Sequence, residues 1–204
     1  GEIINQETYS ILESLRKESI KRSDSTDQKR TILVGQILFV TLLMLCFIIY
    51  LDLFRKEYYK RKRSYLLLFS IIVVYAVLTA IMVSKNFYTV YIIPYAMLPM
   101  VISIFLDSRT AFTAHVITIL ICSITLRYPY EFILLQVMGG MVAIYSLREL
   151  SQRSQLFRSA IFIVASYVLL YFAIELIQEN DISKLNLSMY VHFIINGVLL
   201  LFTY

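Results

Sequence analysis

Two histidines, one acid at membrane depth, an Asp-Arg pair and a basic stretch are the groups in this chain of 204 residues whose types could do chemistry. Histidines beside a carboxylate would hold a divalent cation or move a proton. His115 opens one apolar run and His192 lies near the opposite membrane face in another, so the two do not share an ion. Neither sits in HExxH, and neither has a carboxylate at i+3 or i+4. Glu175 is the acid best placed for burial, and an intramembrane acid is by default a candidate functional group. Its shallow position beside Gln178 and Glu179 favours an interfacial acid reaching up to water. Asp107 and Arg109 mark the tightest turn, where they could bridge each other, cap the next helix or contact a cytoplasmic domain. Asp107 suits the cap, because its carboxylate can accept from the orphan amides of a helix start. Cys46 and Cys122 lie in apolar runs without CxxC or Cys/His spacing and read as small core residues. No GxSxG, phosphate loop or facing carboxylate pair occurs, so no catalytic, cofactor-binding or metal-ligating residue is assigned.

Composition says what must position these groups. Hydrophobic residues make up 59% of the chain and charged ones 16%, against about 45–50% apolar for a soluble domain. A bilayer is therefore the expected solvent. The net charge of +5 is too small and dispersed for a nucleic-acid binder. Gly1 stands where an initiator Met is expected and Tyr204 falls inside an apolar run, so the sequence reads as a fragment.

Residues 1–30 read as the end of an extracytoplasmic domain with a juxtamembrane helix over Gln6–Arg22, in which Ile11, Leu12, Leu15 and Ile20 have near-amphipathic spacing. The run Ser23–Asp27 predicts a hinge. Seven apolar segments follow, at 31–54, 65–83, 91–106, 111–126, 132–147, 159–177 and 189–204. The predicted fold is all-α: a polytopic membrane protein, a seven-transmembrane helix bundle with an amphipathic amino-terminal extracytoplasmic helix. Pro94 and Pro99 predict kinks in the third segment. Gly139-Gly140 predicts a close approach in the fifth. A six-span arrangement, with the third and fourth segments as a re-entrant pair, is the topological alternative.

Lysine and arginine set the expected orientation. With the amino end outside, the inner loops hold ten basic residues, six of them between Arg55 and Arg63, then Arg109, Arg148, Arg153 and Arg158. The outer loops hold three: Lys85, Arg127 and Lys184. That bias places the amino end outside and the carboxyl end in the cytoplasm. The stretch from Arg55 to Arg63 reads as an anchor to anionic headgroups. Tyr58, Tyr59 and Tyr65 on one side, and Tyr88, Tyr91, Tyr128 and Tyr130 on the other, read as interfacial belts.

Four stretches resemble one family, the bacterial seven-transmembrane receptors with an intracellular HD hydrolase domain, which include cyclic-di-AMP phosphodiesterases. They are Gly1-Glu2-Ile3-Ile4 through Glu7, Tyr9, Leu12 and Leu15; Pro94-Tyr95-Ala96-Met97-Leu98-Pro99-Met100 with Leu106-Asp107-Ser108-Arg109; Gly139-Gly140 through Tyr145, Arg148, Arg153, Leu156 and Arg158; and Asn196-Gly197. The resemblance implies an external sensing domain, seven helices in the bacterial cytoplasmic membrane and a cytoplasmic HD domain that hydrolyses a cyclic dinucleotide with two divalent metal ions. No His-Asp dipeptide occurs in these residues, so no catalytic or metal residue carries over and this piece holds no cofactor of its own. The candidate coupling residues are Pro94, Pro99, Asp107, Arg109, Gly139, Gly140, Arg148, Arg153, Arg158, Glu175 and Asn196. The expected partners are the bilayer, the receptor's own extracellular and cytoplasmic domains and an external ligand of unknown identity, with a homo-oligomer left open and nucleic acid excluded. A multi-span scaffold or a small-solute transporter is the competing class.

Overall fold

Long apolar runs can satisfy their backbone groups in hydrocarbon only as helices or closed barrels, and these runs form helices. The computed structural model describes residues 5–24, 26–85, 89–147, 154–179 and 187–202. Within them lie α1 (Gln6–Asp24), α2 (Thr26–Phe54), α3 (Lys56–Lys60), α4 (Lys62–Lys85), a 3-10 turn (Val90–Ile92), α5 (Met97–Phe105), α6 (Ser108–Ser123), α7 (Pro129–Leu147), α8 (Ser154–Glu179) and α9 (Leu187–Phe202). The helices over 29–54, 62–85, 129–147 and 157–178 are long and apolar enough to cross a membrane, and 90–105 and 188–202 are shorter apolar helices. The protein is a polytopic helical membrane protein.

The chain divides into residues 1–42 and 43–204. In the first unit Tyr9, Ile11, Leu12 and Leu15 of α1 are exposed. The hinge predicted at 23–27 includes Ser25, which lies outside the described residues.

In the second unit α6 is the central helix, buried along most of its length and packed against α4, α5 and α7. Next to it α7 packs on α8, which in turn packs on α9. The segment 90–105 is inserted among α4, α6, α7 and α9. One of its ends meets the start of α7, where the Tyr91 hydroxyl donates to Glu131 Oε1 at 2.9 Å. Its other end leads to Asp107, bound to Arg55 at 2.8 Å. The 16 residues of α6 separate these two ends by about 24 Å. The segment therefore runs from one end of the bundle to the other.

Asp107 is the N-cap of α6, and its Oδ2 accepts from the Arg109 and Thr110 amides at 3.1 and 3.2 Å. Its Oδ1 accepts from the Thr110 hydroxyl at 2.6 Å. The cap was legible in the sequence, whereas its charged partner was not: the carboxylate pairs with Arg55, 52 positions away, and not with Arg109. The basic stretch 55–64, read as a loop, contains the short helix α3 and the start of α4. Cys122 is buried as expected, but Cys46 is exposed and faces out of the bundle.

Partial burial would raise the Asp107 carboxyl, but the Thr110 hydroxyl and amide, Arg55 and Tyr58 together hold it below the ordinary carboxylate value. A carboxyl depressed in the folded state stabilises fully above its unfolded value, and that stabilisation is lost as pH falls through the folded one. Thermal midpoints of the detergent-solubilised protein should accordingly drop on acidification below the usual carboxylate range. The variant Asp107→Ala should remove about 1 kcal/mol at neutral pH, the usual worth of a cap, and should flatten that acid limb. An unchanged acid limb would assign it to other carboxylates.

Candidate functional site

Pro94 has no amide hydrogen and fixes its own φ, so the third segment cannot run through it as a regular helix. The structure breaks there: the 3-10 turn ends at Ile92, and α5 begins only at Met97. The break leaves the Tyr91 carbonyl without a backbone donor, while the Ile93 and Pro94 carbonyls accept from the Tyr95 and Met97 amides, and neighbouring helices add side-chain donors. Asn196 on α9 does so twice, with Nδ2 donating to the Tyr91 and Ile93 carbonyls at 2.7 and 2.8 Å. The Tyr75 hydroxyl on α4 donates to the Pro94 carbonyl at 3.1 Å. Thr79, one turn further along α4, donates to the Tyr75 carbonyl at 2.7 Å. That commits its proton, so the 2.6 Å contact between Thr79 and the Tyr95 hydroxyl is donated by Tyr95.

Pro99 behaves differently from the expectation. It is the third residue of α5, where an amide would have no intrahelical acceptor, so the helix starts around it without a kink. Pro94 is thus the break and Pro99 part of the restart.

A second polar group joins α6, α7 and α8 through one glutamine. His115 Nε2 lies 2.8 Å from the Gln136 backbone carbonyl, and the Tyr167 hydroxyl donates to Gln136 Oε1 at 2.8 Å. Gly139 and Gly140 make this possible. A Cβ on Gly140 would overlap the His115 ring, and one on Gly139 would overlap the Tyr167 ring. The predicted close approach is therefore two aromatic side chains laid on bare backbone. Gly197, beside Asn196, gives α9 the same access to Val164 of α8.

Aromatic rings fill the space between the two groups. Phe193 of α9 lies 5.7 Å from Tyr167, 5.8 Å from Tyr91 and 5.3 Å from Tyr171, centroid to centroid. Tyr91 is only 7% exposed and is a core residue, not part of the interfacial belt. Tyr128 and Tyr130 are exposed, as a belt requires, and Tyr88 lies outside the described residues. Glu175 also differs from expectation: it is 6% exposed and accepts from the Tyr190 hydroxyl at 2.7 Å, covered by α9 instead of reaching water.

The remaining candidates do not converge. His192 is half-buried on α9, one residue before Phe193, and takes no part in the His115 group. Among the described residues no three of His, Cys, Asp and Glu stand together to hold a metal ion. Arg109 is exposed at the start of α6. Arg158, assigned to a loop, lies in the second turn of α8 with its guanidinium 5.4 Å from the Phe162 ring centroid. Arg148 and Arg153 lie outside the described residues. Sequence reasoning missed Gln136, Tyr75, Thr79 and Tyr167. Gln136 had a signal, a lone amide in the apolar run 132–147 one turn from the glycine pair. The tyrosines had none, because their hydroxyls suit an interface equally well.

Such an arrangement can pin helices and distribute strain. Residues 30–204 match the family described as 7TM receptor with intracellular HD hydrolase. The chain belongs to this family. No curated protein and no solved structure matches it. In this 7TM receptor the polar core joins membrane helices, and the hydrolase of the family's description has no His-Asp pair within these residues.

Two substitutions test the core. Gly140→Ala should destabilise by about 1–3 kcal/mol through overpacking against His115. The double variant with His115→Ala should recover part of that loss, a coupling that thermal unfolding in detergent reads directly. Asn196→Leu should cost about 1–3 kcal/mol by stranding the Tyr91 carbonyl, the Ile93 carbonyl keeping the Tyr95 amide. A fall of under about 0.5 kcal/mol for Asn196→Leu would show that the broken segment finds other donors.

Proposed function

We propose that this chain is the signal-transducing membrane module of a receptor-type cyclic-di-AMP phosphodiesterase. An extracellular sensing domain precedes it, a cytoplasmic HD domain with two divalent metal ions follows it, and all seven apolar segments cross the bacterial cytoplasmic membrane with the amino end outside. The observation that carries this reading is the family match over residues 30–204. The polar core supports the transducing role. It ties α9, the helix leading towards the carboxyl end, to the broken segment and so to α4. The clustering of Arg55, Arg109 and Arg158 at one end of the bundle supports the orientation. Signalling of this kind requires two packings of similar free energy that the outer and inner domains bias differently. A break held by side chains from two other helices is suited to supply them.

The test uses the full-length protein in vesicles, with hydrolysis of cyclic-di-AMP followed with and without the outer domain's stimulus. Pro94→Ala with Pro99→Ala should change the ratio of stimulated to basal hydrolysis at least severalfold while leaving the metal dependence of hydrolysis intact. An unchanged ratio would remove the broken segment from the signalling path. Absence of any hydrolysis by the full-length protein would overturn the phosphodiesterase assignment in favour of a scaffold or transporter.

A further inference from the structure

Between α7 and α8, at the end of the bundle that carries Arg55 and Asp107, lies an open groove of about 480 Å³. Its mouth is formed by Tyr145, Ser146 and Arg158, and its floor runs past Phe162 and Ala165 to Leu169. Phe162 and Leu169 are exposed and turn outward from the core, so the groove opens sideways into the apolar belt. Arg158 and Leu169 are 11 residues apart on one helix, about 16 Å along its axis. Half of a hydrocarbon core about 30 Å thick has nearly that depth. The guanidinium of Arg158 lies over the Phe162 ring, which holds the charge above the apolar floor. No acid among the described residues forms an ion pair with it. The Ser146 and Ser166 hydroxyls donate to carbonyls of their own helices, Ala143 and Ile163, and their oxygens keep acceptor capacity.

We infer that this groove binds one anionic phospholipid of the adjoining leaflet, its phosphate on Arg158, its headgroup hydroxyls towards Ser146, and one acyl chain along Phe162, Ala165 and Leu169. Charge and depth select this occupant. The groove joins a cation at headgroup level to an apolar track one leaflet long, and a lipid offers that pair of features in that order. A soluble anion would gain nothing from the track, and a hydrocarbon alone would leave Arg158 unpaired. The inference requires the membrane arrangement but not the phosphodiesterase reading, and it is tested by a measurement that does not involve hydrolysis.

Native mass spectrometry of the full-length protein, released from micelles doped with phosphatidylglycerol or phosphatidylcholine, counts the retained lipids. The parent protein should retain one phosphatidylglycerol in preference to phosphatidylcholine. Arg158→Gln should weaken that retention roughly five- to tenfold, as for the loss of one arginine–phosphate contact. Ala165→Phe, which keeps the charge and fills the track, should weaken it as well. Lys62→Gln, an exposed charge at the same end of the bundle, should leave it unchanged. Arg158 and Ala165 are both exposed, so neither change disturbs the core. Full retention by Arg158→Gln or by Ala165→Phe would overturn the site. An equal loss in Lys62→Gln would also overturn it, by showing diffuse attraction to the basic end instead of a bound lipid.

Discussion

The broken backbone at Pro94 is the constraint on which the rest of the structure depends. In hydrocarbon a carbonyl that loses its helical donor has no water to turn to. Helices α4 and α9 of this chain are arranged around that requirement. Asn196 must stand at the level of Tyr91 and Ile93, which fixes the height of α9. Tyr75 reaches the Pro94 carbonyl beside the Met97 amide, a second bond that ties α4 to the break. Neither bond is an ornament on a bundle held by greasy surfaces, because lipid competes equally for those surfaces and provides little drive for helices to associate. Shape and hydrogen bonds must do that work, and both are concentrated here.

Shape enters through glycine. Gly139 and Gly140 are adjacent, so their Cα atoms point about 100° apart around α7, and each accepts a ring from a different neighbour. One dipeptide thereby seats His115 of α6 and Tyr167 of α8. Gln136, one turn before that dipeptide on α7, supplies a backbone oxygen to the first and a side-chain oxygen to the second. An alanine in either place would push a helix outward, and the hydrogen bond of that helix would lengthen with it. Packing and polar pairing are therefore not separable contributions in this core.

The features legible in the sequence were those set by local chemistry. Apolar runs between charged stretches marked the helices, Asp107 before Ser108 marked a cap, Pro94 marked a break and the glycine pair marked a close approach. What stayed hidden was the partner of each. Asn196 and Tyr91 are 105 positions apart, and nothing near either one names the other. The misreadings have a common cause. Glu175 and Tyr91 were placed by distance from the end of an apolar run, as though polarity there implied water. A tyrosine hydroxyl or a carboxylate near a helix end is equally well satisfied by another side chain, and Tyr190 and Glu131 provide that. Hydropathy along one helix cannot register what an adjacent helix brings to the same depth.

The hydrogen bonds sort the helices into two groups with different tolerance of movement. Asn196, Tyr75 and Thr79 hold α4, the broken segment and α9 to one another, while Gln136 holds α6, α7 and α8. Sliding α9 along its axis without the segment 91–93 would strand the Tyr91 carbonyl and break the second bond to Ile93, so those pieces move together. Between the groups lie the rings around Phe193, whose contacts are not directional and survive small shifts. The two hydrogen bonds described above that cross from group to group, Tyr91 to Glu131 and Tyr190 to Glu175, both sit at the end of the bundle away from Arg55 and Asp107. At the basic end the groups are tied differently: only Leu106 and Asp107 separate α5 from α6, and Asp107 both caps α6 and pairs with Arg55. Each end of the bundle thus carries its own polar restraint, and the rings around Phe193 fill the span between them.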